Sequence, residues 1–91
     1  MNKRVHLIVS GRVQGVFFRA ETQSQALHLH LKGWVRNTSD GRVEIIIEGD
    51  EENVQRMIDW CHKGPPIANV EGIDYHEEPF HDSFDDFKIV Y

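Results

Sequence analysis

Asp40-Gly41 lies between two runs that read as β-strands, Trp34-Val35-Arg36 and Arg42-Val43-Glu44-Ile45-Ile46-Ile47. Asp-Gly supplies the positive backbone angles of a tight hairpin, so Ser39-Asp40-Gly41 turns the chain back and makes the flanking strands antiparallel neighbours. A chain holding that hairpin must build a sheet and cover one face of it. Val5, Leu7 and Val9 alternate with His6 and Ile8, which predicts a half-buried strand over residues 3–10. Phe18 to His30 holds neither Pro nor Gly, and Phe18, Thr22, Ala26 and Leu29 recur at helical spacing. A first helix therefore follows a loop at 11–17.

Beyond the hairpin, Asp50 caps a second helix, Glu51 and Glu52 complement its dipole, and Val54, Met57, Ile58 and Cys61 form its apolar stripe. Gly64-Pro65-Pro66 stops it. Val70 to Tyr75 is the fourth strand, and the alternation of Phe87, Ile89 and Tyr91 gives a short last one. This element order predicts an α+β split β-α-β sandwich, βαββαβ plus a C-terminal strand, with two helices on one face of a mainly antiparallel sheet. A chain of 91 residues holds one core, so residues 1–91 form a single domain.

Ten Lys and Arg against 15 Asp and Glu give a net charge of −5, and no basic cluster is present. Nucleic acid is excluded as a partner, and any bound anion must be held by a local site against the overall field. No apolar run approaches the ~20 residues that cross a bilayer. Met1-Asn2-Lys3-Arg4 leads into an alternating strand rather than a secretory signal. Cys61 is the only cysteine, so a reducing cytoplasm is the expected location. No heptad pattern argues for assembly, and a monomer is expected.

Ser10-Gly11-Arg12-Val13-Gln14-Gly15-Val16-Phe17-Phe18-Arg19 places a glycine-containing loop between a strand and a helix start. Such a loop can aim several N–H groups at one anion, beside the positive end of the helix dipole. Arg19 adds a forked cation suited to phosphate oxygens. It is neither a Walker loop nor a GxGxxG motif, so nucleotide binding is disfavoured. On spacing alone, a tight turn with a solvated Arg19 is the better explanation of these residues. The six histidines are scattered along the chain, with His28 and His30 on different sides of a helix, and no metal site is expected. Glu77-Glu78 and Asp85-Asp86 read as solvated loop residues. Cys61 reads as a buried apolar residue.

Gly11 to Arg19 nevertheless resembles one signature of the acylphosphatase family, and Gly33-Trp34-Val35-Arg36-Asn37-Thr38-Ser39-Asp40-Gly41-Arg42-Val43-Glu44 resembles a second. The two stand in the family's order and spacing, and the resemblance extends over essentially the whole chain. It implies a ferredoxin-like fold and hydrolysis of acyl phosphates without metal or cofactor. It further implies that Arg19 binds the phosphate, that Asn37 positions the attacking water, and that N–H groups of Gly15, Val16, Phe17 and Phe18 complete the phosphate site. Inorganic phosphate would then bind as product and inhibitor. The family's chain ending suggests that the Tyr91 carboxylate orients Arg19. Phe17 is bulkier than the glycine or cysteine that many relatives carry there, which bears on the loop's rigidity and the rim of the pocket. The alternative is a non-catalytic module that binds acyl or carbamoyl phosphate for regulation, since similar domains occur within larger carbamoyl-transfer proteins. No segment of the sequence selects the acyl group, so breadth toward several substrates is expected.

Overall fold

The computed structural model describes residues 1–91. Its elements are β1 (Asn2–Arg12), α1 (Phe18–His28), β2 (Lys32–Asn37), β3 (Val43–Asp50), α2 (Glu51–Lys63), β4 (Asn69–Glu78) and β5 (Phe87–Ile89). The strands form one sheet in the order β4-β1-β3-β2-β5. Neighbours run antiparallel except β2 and β5, which are parallel. One face carries both helices, α1 against β2 and β5 and α2 against β4, β1 and β3. This is the ferredoxin-like α+β arrangement with one added edge strand.

The core follows the sequence periodicities. Val5, Leu7 and Val9 of β1 meet Val43, Ile45 and Ile47 of β3 under the helices, while α2 contributes Val54, Met57, Ile58 and Cys61. Phe18, Thr22 and Ala26 form the buried side of α1. Asp50 caps α2 by accepting a hydrogen bond from the Glu52 N–H at 3.1 Å. Ile46 is buried on the opposite face, between strands that carry His6 and Trp34 beside it.

Several boundaries differ from the sequence expectation. β1 runs on to Arg12 because Gly11, at φ 117, passes the register shift after Ser10, where a side chain would collide with the Asn69 carbonyl. α1 stops at His28 rather than His30. His30 takes the left-handed conformation (φ 57), its N–H bonds to the Leu27 carbonyl at 3.1 Å, and the Leu31 N–H bonds to the Ala26 carbonyl at 2.8 Å. Those two bonds make a Schellman turn, normally closed by glycine. β4 extends to Glu78, so Glu77 and Glu78 are strand residues and not loop; Glu78 accepts from Arg4 Nε at 2.9 Å, which holds its carboxyl below the ordinary range. β5 ends at Ile89, although the Val90 N–H still reaches the Val35 carbonyl at 2.9 Å.

Because β4 and β5 occupy opposite edges, residues 79–86 must traverse the width of the sheet. They do so at the end where β1 begins, and Glu48 holds them there. Its carboxylate, 2% exposed, accepts from the His81 N–H at 3.1 Å, the Ser83 N–H at 3.2 Å and Arg4 Nη1 at 3.5 Å. The Arg4 guanidinium in turn lies over the Phe84 ring, 5.2 Å from its centroid. Glu48 thereby fixes where β5 starts, and β5 delivers the C-terminus to the other end of the sheet.

Two stability predictions follow from these contacts. His30→Gly should stabilise the fold by about 0.5–1 kcal/mol in urea unfolding, since glycine removes a left-handed penalty of ~1–2 kcal/mol and returns part of it as unfolded-chain entropy. Glu48→Ala should destabilise it by about 2–4 kcal/mol, because two main-chain donors and a guanidinium lose one buried charged acceptor.

Candidate active site

A cavity of about 280 Å³ opens where β1, β2 and β5 end, lined by Val13, Gly15, Phe17, Phe18, Arg19, Ala20, Asn37, Ile89 and Tyr91. Gly15, Phe17, Phe18, Arg19 and Asn37 are thus brought together from two segments separated in sequence. Val16 does not line the cavity. Its side chain is buried in the core and its contribution to the site is confined to the main chain.

The loop between β1 and α1 is shaped by residues with opposite roles. Phe18 is buried against Trp60, with ring centroids 5.7 Å apart, and anchors the start of α1 in the core. Gly15 (φ 74) and Phe17 (φ 65, ψ 20) both take left-handed conformations on the way to it. Glycine adopts that region freely, whereas Phe17 bears a cost of about 1–2 kcal/mol. The residue is 72% exposed and lies outside the core cluster, so core burial does not offset that cost.

The first main-chain bond of the helix runs from the Glu21 N–H to the Phe17 carbonyl at 3.0 Å, and no N–H of residues 15–20 donates to a main-chain acceptor. Unpaired donors at a helix start, with the dipole behind them, form an anion site. Arg19 has the same character: its guanidinium makes no ion pair or hydrogen bond within the protein. The Tyr91 ring lies against it, with the guanidinium carbon 4.9 Å from the ring centroid. The Tyr91 carboxylate forms no ion pair with Arg19, so the expected role of the C-terminus is changed in kind. The ring, and not the charge, touches the arginine.

Asn37 is the last residue of β2, opposite Val43. The turn that follows is braced by Thr38, whose hydroxyl accepts from the Arg42 N–H at 3.0 Å, and by an Asp40–Arg42 ion pair at 2.7 Å. Hydrogen bonds from Arg42 and Thr38 lower the Asp40 carboxyl to about 2. The link between this turn and the anion loop is Gln14. Its amide nitrogen donates to the Thr38 carbonyl at 2.8 Å and the Arg42 carbonyl at 2.9 Å. Sequence reading included Gln14 in the motif without giving it a role, and only the pairing of two distant segments reveals one.

The remaining candidates lie elsewhere. Cys61 is buried, and burial pushes its thiol up to about 12, which removes it as a nucleophile. His6 and His76, scattered in sequence, face each other across β1 and β4 with ring centroids 5.1 Å apart, and with Glu78 their ligand atoms lie within 4.8 Å of one another. None of the three lines the cavity. The carboxylates around them are already engaged by guanidinium groups, Glu78 by Arg4 and Glu44 by Arg36 at 2.7 Å. The cluster reads as an ion-pair network on the open face of the sheet.

Comparison with known proteins agrees with this geometry. The family model described as acylphosphatase matches residues 5–89. An acylphosphatase of Syntrophus aciditrophicus is 54% identical over 91 residues, covering 100% of this chain and 95% of its own. The crystal structure of acylphosphatase from Bacillus subtilis superposes with a TM-score of 0.94 at 41% identity, over 100% of both chains. An acylphosphatase from Coxiella burnetii superposes with a TM-score of 0.93 at 37% identity, over 98% of this chain and 93% of that one.

Gln14→Ala should loosen the join between loop and turn. We expect a loss of about 0.5–1.5 kcal/mol in denaturant unfolding, because each carbonyl loses one donor while the Arg42 carbonyl keeps the Thr38 N–H and the Thr38 carbonyl keeps the Gly41 N–H. The backbone order of residues 15–20 should fall relative to the core strands, as measured by NMR relaxation.

Proposed function

Because the chain belongs to the acylphosphatase family, we propose that the cavity between the β1–α1 loop and the end of β2 is its catalytic centre, with Arg19 binding the substrate phosphate and Asn37 orienting the attacking water. The chain is an enzyme that hydrolyses the carboxyl–phosphate anhydride of acyl phosphates. The observation that carries the site assignment is the set of donors left without protein acceptors around one cavity, namely the loop N–H groups and the Arg19 guanidinium.

An acyl phosphate leaves as a carboxylate whose parent acid has a pKa of roughly 4, so it departs at neutral pH without a proton from a general acid. The transition state of phosphoryl transfer is loose, with charge spread over the peripheral oxygens. Catalysis then depends on positive potential fixed in advance, and unpaired N–H groups at a helix start require little reorganisation to supply it. The main-chain N–H groups from Gly15 to Phe18 hold the phosphate, and the fork of Arg19 spans two of its oxygens.

Water attacks phosphorus from the side opposite the acyl oxygen. As the new P–O bond forms, the bond to the acyl oxygen breaks and its electron pair leaves with the carboxylate. The water's proton passes to a phosphate oxygen, giving dihydrogen phosphate. Asn37 orients that water through its amide and has no basic group with which to deprotonate it. A carboxylate base in its place would repel the anionic substrate. No His, Cys, Asp or Glu lines the cavity, which fits a reaction that needs neither metal nor cofactor.

Inorganic phosphate, the product, retains the oxygens that the loop recognises and is an inhibitor on this reading. A monomer in the cytoplasm is the setting we assign. Cys61, the single cysteine, needs no oxidising compartment, and no helix is long and apolar enough to cross a membrane. The regulatory-module reading is disfavoured by relatives of near-equal length that are named as the enzyme.

Release of inorganic phosphate from a synthetic acyl phosphate in EDTA tests the assignment. Arg19→Ala should lower kcat/KM by roughly 10³–10⁵ and weaken inhibition by phosphate, while Arg19→Lys should restore little of it. Asn37→Ala should lower kcat sharply and leave phosphate inhibition near the wild-type value, since its partner is water. Undiminished turnover by Arg19→Ala, with the fold intact by circular dichroism, would remove Arg19 from the site.

A further inference from the structure

We propose that Phe17, with Ile89 and the Tyr91 ring across the cavity mouth, binds the acyl part of the substrate and makes the enzyme prefer bulky apolar acyl groups, aromatic ones above all. This rests on the catalytic reading of the cavity and adds to it a binding surface for the half of the substrate that the phosphate donors do not touch.

The case begins with Phe17 itself. A bulky residue at φ 65 is an outlier, and strained positions persist where a function retains them. Two phenylalanines stand side by side at the start of α1, yet only Phe18 is in the core; the left-handed turn at Phe17 leaves that residue exposed and on the cavity lining. Folding does not require that ring, and glycine would suit both the backbone angle and the start of the helix better. Tyr91 repeats the pattern. The residue is 98% exposed, lies on the same cavity and has its ring against the Arg19 guanidinium.

Connectivity supplies the occupant. The acyl carbon lies one oxygen away from the phosphorus, and the phosphorus sits over the N–H groups of the loop that contains Phe17. An in-line reaction sends the leaving group away from the water, so the acyl group must emerge past the rim of a small cavity. Six of the nine residues lining it are hydrophobic. At about 280 Å³ the cavity falls just below the usual range for ligand pockets, roughly 300–1,000 Å³. A phosphate consumes much of that room, which leaves a flat apolar group to rest against the rim. An acetyl group is too short to cover the Phe17 ring, whereas a benzoyl group can lie against it. The breadth expected from the sequence would on this proposal carry a graded preference among acyl groups.

The test compares kcat/KM for benzoyl phosphate and for acetyl phosphate in the wild type, Phe17→Gly and Phe17→Tyr. Glycine accepts the left-handed conformation, so the loop backbone is kept while the ring is removed. The change in the benzoyl-to-acetyl ratio between proteins cancels the intrinsic reactivity of the two anhydrides. We expect Phe17→Gly to lower the ratio about tenfold, at the modest end of the roughly 10–200-fold discrimination that one apolar contact gives. Phe17→Tyr should keep it within about twofold. A ratio unchanged in Phe17→Gly, or lowered equally by Phe17→Tyr, would overturn the proposal while leaving the hydrolase reading intact. Failure of the wild type to hydrolyse either compound would overturn both.

Discussion

The donors at the start of α1 have no acceptor inside the protein, and much of the local structure serves to keep them that way. Buried polar groups are satisfied in nearly all folds, so a run of unpaired N–H groups is stable only if water or an anion can reach it. Phe18 fixes the helix start by entering the core, Gly15 and Phe17 turn the chain at left-handed angles just before it, and Gln14 ties the loop to the β2–β3 turn through two carbonyls. Each contact constrains the loop without consuming one of its donors. The consequence is a set of unpaired donors at one helix start whose organising cost is met during folding.

The two ends of the sheet divide the remaining work. At the end where β1 begins, Glu48 and Arg4 hold the crossing segment through a buried set of charge-assisted hydrogen bonds. At the other end, no Asp or Glu lines the cavity and the Arg19 guanidinium is left without an ion pair. A protein of net charge −5 repels an anionic substrate at long range. Within a few ångströms, however, the helix dipole, the N–H groups and Arg19 dominate the field, because screening and distance weaken the remainder. Placing the buried acid at the far end of the sheet preserves that local positive potential.

Features with a local cause were legible in the sequence. The Asp40-Gly41 hairpin, the β1 alternation and the α2 stripe each depend on residues within one segment; the structure pairs β2 and β3 antiparallel and buries the expected residues of β1 and α2. What escaped depends on partners far along the chain. His30 offers no glycine to mark its Schellman turn, and β4 outlasts its apolar pattern because pairing with β1 carries Glu77 and Glu78 in register. Nothing in the neighbourhood of Glu48 announces a buried carboxylate, for its donors lie at residues 81 and 83. At the site, Arg19 and Asn37 were readable through two motifs, and the structure places both on one cavity. The role of Gln14 and the outward turn of Phe17 required three dimensions.

The contact between Arg19 and Tyr91 shows why an aromatic ring suits this position better than the carboxylate that the chain ending suggested. A carboxylate paired with Arg19 would occupy the guanidinium N–H groups and compete with the substrate phosphate for them, so part of each binding event would go into breaking the pair. A ring at 4.9 Å attracts the cation through its π face and leaves the in-plane N–H donors unoccupied. The attraction is worth roughly 0.5–1 kcal/mol at an exposed site, enough to bias a flexible side chain toward one direction and too little to oppose phosphate binding. The terminal charge then needs no fixed position, which accords with a residue that is almost fully exposed. Arg19 is thereby directed by a neighbour that does not neutralise it, the same condition that Gln14 and Phe18 impose on the loop.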